Sequence, residues 1–440
     1  MNKKLFSSVT GLFLFLFVWG GSAAAEPLTL DLTAAVRLAL ANSPSLVRHE
    51  QNLLQAEKQA ASVWNAFLPN LSLSASLRNT HWFGEVPPSA AAQDPWTLGA
   101  SAGLSLTLPS SLPASISLTL QERDLARLAW AEAGTALGRS VSRAFYALAA
   151  AEQTLVISAE NLQRAERQAD LVERNYRSGL ASELAWLQAR YNAASLRPDL
   201  SRDTLSRDTA RRTLLSLLGL SLDTELVLVT ETGPDIFSIP DGDAALLVER
   251  RLDVRRAVLE LEKSRTSRLA GDLGRFGPTI SLSETFSVSN LQQELKLPEN
   301  GSLTLSVSIP LNGYIPGSRE SLAGSARQSA VVTAEAALKQ LRIDAEREIL
   351  NLRGSLAQLA ETAESASLNV QLAERSYALS RDGYAAGLVS EESLNDERAK
   401  LAQAQMRSLA AEYNRKASLA DLAWMLNAGF SQFNSVGGAE

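Results

Sequence analysis

The chain has 440 residues, with 42 Lys and Arg against 48 Asp and Glu, two His and no Cys. Those figures exclude a disulfide framework and a zinc–thiolate centre, and they argue against nucleic acid as a partner. Ala, Leu, Ser, Glu and Arg dominate and aromatics stand at 6%, the composition of long helices packed through small side chains.

Residues 1–25 read as a secretory signal peptide: Lys3-Lys4, an apolar core from about Leu12 to Trp19, and Ala23-Ala24-Ala25 as the cleavage site. The apolar run is short for a transmembrane helix. Cleavage removes two lysines and no acid, leaving 40 basic against 48 acidic residues, a net charge of −8. No cysteine follows the site, so a lipoprotein anchor is not expected. No later stretch offers eighteen or more apolar residues in a row, so any entry into a membrane has to be made by strands.

The spacing predicts a helix over 30–64, with Asp31 or Thr33 as its cap and Ala35, Leu38, Ala39, Leu46, Leu53 and Leu54 on one face. Asn42-Ser43-Pro44 interrupts it, because proline disfavours helix in the residue before it. Beyond Pro69 the period changes from 3.6 to 2. Leu71, Leu73, Ala75 and Leu77 alternate with serines, and Leu98 to Leu108 alternate with Ser, Gly and Thr. This β-hairpin, 70–108, is apolar on one side and small and polar on the other, as in a membrane hairpin whose second face lines water. A soluble hairpin with one buried face fits the same pattern. Trp82 and Trp96 beside the loop, the signal peptide and the repeat described next favour the membrane.

Pro109 and Pro113 separate strand from helix, and a helix is expected from about Ser115 to Arg177. Val141, Leu148, Leu155, Leu162, Ala169 and Tyr176 fall seven apart, with Ala144, Ala151, Ala165 and Val172 in a companion seam. A helix of that size is about 100 Å long. After a tight turn a return helix runs from Ser182 to about Leu218, kinked at Pro198. The segment 219–243 is a linker carrying the β-like run Leu226-Val227-Leu228-Val229.

From Ala244 the order recurs. A helix is expected to Gly271, then a β-hairpin over 279–309 with Glu284 on its apolar face. Pro310 and Pro316 mark the corner, a long helix follows to Tyr384, and the last helix runs from Ser390 to about Asn427. The tip Tyr176-Arg177-Ser178-Gly179-Leu180-Ala181-Ser182 is echoed by Tyr384-Ala385-Ala386-Gly387-Leu388-Val389-Ser390 at an offset of 208 residues. The same offset relates Leu148 to Leu356, Leu162 to Val370 and Leu218 to Leu426. The chain is therefore read as two copies of one unit, 26–218 and 244–428, with a flexible tail over 429–440. Four strands cannot close a barrel and open edges are not tolerated in lipid, so copies must pool them; three copies give twelve strands.

On the duplicated order, Asn42-Ser43-Pro44, Ile309-Pro310-Leu311, the two Gly-Leu-x-Ser turns, and Arg250-Arg251-Leu252-Asp253 with Leu where the family has Pro, the chain resembles the TolC-type outer-membrane efflux proteins. The fold this implies is mainly α with β. Duplicated long-helix hairpins form a trimeric periplasmic α-barrel tunnel, and four strands per chain contribute to a shared 12-stranded outer-membrane β-barrel. The linker belongs to an equatorial domain. The implied function is a passive exit duct of a tripartite efflux or type I secretion system, working with a periplasmic adaptor and an inner-membrane pump, with no cofactor and no catalysis. The adaptor-docking tip carried over is Gly179, Leu180, Ser182, Gly387, Leu388 and Ser390. The gate candidates are Tyr384 and Asp396, with Glu391 and Glu392. Ser393 and Val389 stand where the family has a second gate aspartate and an arginine, and Leu184 and Ala185, where the tyrosine's partners belong, cannot bond to it. A soluble periplasmic coiled-coil scaffold is the alternative, and it requires buried strand faces. For an enzyme there is no nucleophile elbow, no His–carboxylate cluster and no phosphate loop.

Overall fold

The computed structural model describes residues 28–81, 83, 95–229, 242–289 and 301–427. The signal peptide 1–25, Trp82, the loop 84–94, linker residues 230–241, the loop residues Pro298-Glu299-Asn300 of the second hairpin and the tail 429–440 lie outside the described residues.

The described residues open on a strand rather than a helix. β1 (Leu28–Leu30) pairs in parallel with β4 (Leu226–Leu228), so the start of the chain is tied to the linker. The expected first helix is two. α1 (Leu32–Asn42) is capped by Asp31, whose carboxylate accepts from the Ala34 amide at 2.6 Å. α2 (Pro44–Ala61) restarts at the proline, where a missing N–H does no harm.

β2 (Asn70–Asn79) and β3 (Trp96–Pro109) form the first hairpin, β5 (Thr279–Ser289) and β6 (Gly301–Ser308) the second. The four make one antiparallel sheet in the order β2-β3-β5-β6. In this register Leu71 lies opposite Leu104 and Leu73 opposite Ala102, while Ser74 lies opposite Ser101. The second hairpin keeps the same sides, with Leu106 against Leu282 and Leu282 against Leu305.

α3 (Leu112–Arg177) has 66 residues and starts at the corner itself, with Pro113 in its first turn. α8 (Arg319–Ala385) answers it with 67. Both are about 100 Å long. The return from α3 is α4 (Glu183–Ser195) followed by α5 (Arg197–Leu218); the break falls at Leu196, because Pro198 has no N–H to give to the carbonyl four residues back and its ring crowds that carbonyl. The return from α8, α9 (Glu391–Met425), has no proline and is unbroken.

The second copy departs from expectation at its start. α6 (Ala244–Val248) and α7 (Leu252–Phe276) are separate helices. Arg251, buried at the break, spans three elements: its guanidinium donates to Asp253 (2.7 Å), to Glu348 of α8 (2.8 Å) and to the Met425 sulfur of α9 (3.1 Å). A continuous helix would carry that side chain off the junction.

The main core lies midway along the long helices, where α1, α5, α6, α7 and the end of α9 close on α3 and α8. Trp424 is fully buried there, its indole N–H donates to the Ser142 hydroxyl (3.0 Å), and a Cβ on Gly138 would lie 2.4 Å from its ring. Nearby Asp421 accepts from Arg139 (3.0 Å) and Arg143 (2.8 Å), pinning α9 to α3. Toward the tips the packing thins to a small cluster of Ala373, Leu401 and Ala404. In the core both seams of α3 are buried, Val141 and Leu148 fully and Ala144 with them; from there to the tip the better-buried seam is the small-residue one, with Ala151 half-buried and Ser158, Ala165 and Val172 buried. Leu155, Leu162 and Ala169 stay partly exposed, and Tyr176 more so. Small side chains let the return helix approach closely; past Leu148 the larger stripe is left partly open.

Candidate functional site: two turns at the far end of the helices

Two turns of the same construction lie at the far end of the long helices. Gly179 has φ 73° and Gly387 φ 74°. The amide of Leu180 reaches back to the Asn175 carbonyl and that of Leu388 to the Gly383 carbonyl, both at 2.8 Å. Gly179 and Gly387 bond to Tyr176 (2.9 Å) and Tyr384 (3.0 Å). This paired 6→1 and 5→2 arrangement needs a left-handed residue at its centre, which is why glycine occurs there. A Cβ at either glycine would meet nothing within 4 Å, so backbone conformation alone excludes other residues.

The next helices start on serine caps. Ser182 Oγ accepts from the Ala185 amide and Ser390 Oγ from the Ser393 amide, each at 3.2 Å. In such turns the residue after glycine often folds back onto the helix's last turn. Here the residues it would meet are Asn175 and Gly383, and Val389 already packs over Gly383. Leu180 and Leu388 are therefore left standing out, 81% and 83% exposed. Leu184, Leu187 and Tyr191, exposed along α4 at helical spacing, extend the apolar surface of the first turn.

The turns differ in what their tyrosines do. Tyr176 stacks flat on Trp186, with ring centroids 5.3 Å apart, and the Arg190 guanidinium lies 5.8 Å from the Trp186 ring. The residue 208 positions after Trp186 is Leu394, which is buried, so Tyr384 has no ring to lie on. The Tyr384 hydroxyl instead accepts from Gln168 Nε2 of α3 at 3.3 Å. The partner of the tyrosine is thus neither Leu184 nor Ala185, and the sequence reading missed it.

Gln168 also lies beside Glu391. Burial pushes the Glu391 carboxyl above its ordinary 4.5, while the adjacent Gln168 amide and the nearby Arg398 charge pull it back less strongly. Its Oε1 and the Nε of buried Arg398 have no hydrogen-bond partner. Glu392 and Asp396 are exposed to solvent. Of the four gate candidates, Tyr384 and Glu391 are brought together through Gln168, and the other two stand apart from that network.

At the opposite end, the leucines of the sheet are uncovered. Leu71, Leu73, Leu303 and Leu305 are among its exposed side chains. Both edges of the sheet, β2 and β6, lack a partner strand among the described residues. Among the described residues no helix is long and apolar enough to cross a membrane, and no group of three or more metal-ligating side chains is found.

The family model described as outer membrane efflux protein matches residues 35–220 and again 245–428. None of the curated proteins matches the chain in sequence. Among solved structures, the outer membrane protein VceC of Vibrio cholerae is similar with a TM-score of 0.74 at 20% identity, over 90% of this chain and 95% of that one. The CmeC outer membrane channel of Campylobacter jejuni gives 0.78 at 16%, over 90% and 86%. A membrane protein of Pseudomonas aeruginosa gives 0.79 at 19%, over 90% of each chain. At these identities the likeness concerns the fold.

Proposed function

The chain belongs to the outer membrane efflux protein family, and from that premise we propose that it is the outer-membrane exit duct of a tripartite efflux or type I secretion system. Three copies join their four-stranded sheets into a twelve-stranded barrel in the outer membrane, and their long helices form a tunnel through the periplasm. Substrate is delivered by an inner-membrane pump through a periplasmic adaptor, and the duct moves it passively without catalysis. The signal peptide is removed on export and no lipid anchors the mature chain.

The observation that carries this reading is the sheet. A leucine-rich face left open along four strands, with both edges unpaired, is an aggregation hazard in water. It becomes stable when lipid covers the face and neighbouring copies cover the edges. The soluble scaffold requires those strand faces to be buried, and they are exposed.

At the far end, Gly179 and Gly387 shape the docking turns, Ser182 and Ser390 hold the following helices, and Leu180 and Leu388 are the apolar anchors an adaptor grips. Tyr384 and Glu391, tied through Gln168, keep α3 and the second turn together in the closed state, and Asp396 and Glu392 face the axis. Three copies of an acid on one narrow axis attract cations and hinder large anions. An adaptor that binds the opened turns more tightly than the packed ones shifts the population toward open.

The test is native mass: mature protein extracted from membranes in mild detergent and measured by light scattering corrected for bound detergent. A trimer that precipitates when detergent is withdrawn is expected. A monomer or dimer that stays soluble without detergent overturns the duct.

A further inference from the structure

The polar face of the sheet carries almost no charge. Opposite Ser72 lie Gly103, then Thr285, then Ser302; opposite Ser74 lie Ser101 and Ser287; and Ser105, Ser283 and Thr304 share a row. Of the charged residues in the four strands, Arg78 is at the loop end of β2 and Glu284 is on the other face, between Leu104 and Leu303. From the row of Ser76 to the helix end, the polar wall is hydroxyl, Gly, Asn70 and Pro109.

We infer that the barrel section of this duct, from the row of Ser76 to the helix end, is neutral to charge, wetting cationic, anionic and uncharged solutes alike through serine and threonine hydroxyls. The inference rests on the duct reading, which sets the hydroxyl face toward water. A hydroxyl both donates and accepts, so a wall built of them solvates either sign. Some are already engaged: Ser74 and Ser101 bond to each other at 2.7 Å, and Ser72 donates to the Gly103 carbonyl at 3.4 Å. Such a wall holds solutes weakly, which suits a passage more than a binding site. Rings of fixed charge are what make a pore choose between ions, and the acids Glu391, Glu392 and Asp396 lie near the second turn, at the other end of the helices.

The absence of cysteine in the sequence makes a direct test possible. Ser283→Cys and Ser306→Cys are placed one at a time on the hydroxyl face, and Leu305→Cys on the leucine face. Each variant, as trimer in proteoliposomes, is treated with a cationic and an anionic methanethiosulfonate of similar size, added from the barrel mouth so that the gate is not involved. The two serine positions are expected to react with both reagents in the same rate ratio as a free thiol, and Leu305→Cys with neither. A skew toward one sign of about tenfold or more, the local enrichment a charged cleft produces, overturns the neutral wall, as does a failure of both serine positions to react. If Leu305→Cys reacts as fast as Ser283→Cys, the leucine face is not in lipid; the duct reading then falls and the inference with it.

Discussion

At the scale of single residues, the tip turns separate what shapes the backbone from what is offered to a partner. Gly179 and Gly387 answer to a positive φ, and Ser182 and Ser390 answer to unpaired amides. Leu180 and Leu388 answer to nothing within the chain. Replacing both by serine is therefore expected to leave the amount of trimer in the outer membrane unchanged and to abolish efflux; intact transport in the double variant would sink the docking assignment. Glu391 carries a second prediction. Its raised pKa means that the packed tip holds a proton more readily than an opened one. Packing gains from that proton fully below the ordinary value of 4.5 and loses the gain as pH rises through the raised value. Openings in a planar bilayer should be rarer at low pH than at neutral pH, and Glu391→Gln should make them equally rare at both. An unchanged pH response in that variant would remove Glu391 from the gate. The glycines and serines were legible because turn chemistry is local. Gln168 was not, because its partner Tyr384 is 216 residues away in sequence and nothing near either residue announces the bond.

At the scale of elements, period and proline gave most of the outline. The change of period at Pro69 marks the sheet, Pro44 divides the first helix, and Pro198 divides the return helix. Two elements could not be read. β1 is three residues long and exists by pairing with β4, nearly two hundred residues later. The gap between α6 and α7 contains no Pro or Gly; it is held by Arg251 reaching Asp253 and Glu348. The end of α9 looked ordinary as well, yet Trp424 fills the space left by Gly138 and locks α9 to α3. Trp424→Ala should cost about 3–5 kcal/mol, the range for removing a large aromatic from a core. The midpoint of chemical unfolding and the yield of assembled protein both report on it, and a shift within error would show that the junction is held by Asp421 and its arginines alone.

At the scale of the whole molecule, the apolar surface is distributed in two ways. Midway along the helices the chain buries a core of its own. At the sheet, and along Leu184, Leu187 and Tyr191 of α4, it leaves apolar side chains uncovered. A single chain has no means of closing four strands, so the mass of the detergent-extracted assembly bears directly on the architecture. By itself the sequence determined the duplication, the helix–hairpin–helix order, the alternation that makes one sheet face leucine and the other hydroxyl, and the two glycine turns. The duplication shows as a recurrence at a fixed offset of 208 residues; the rest follow from spacing within some tens of residues, where backbone geometry converts sequence position directly into face and turn. Only the tertiary structure decided how far along α3 each seam is buried, that the hairpins join through β3 and β5, that Arg251 ties three helices, and that Tyr384 is held by Gln168. Those are contacts between distant segments, set by which surfaces fit once the whole chain has packed, and a one-dimensional pattern carries no record of fit.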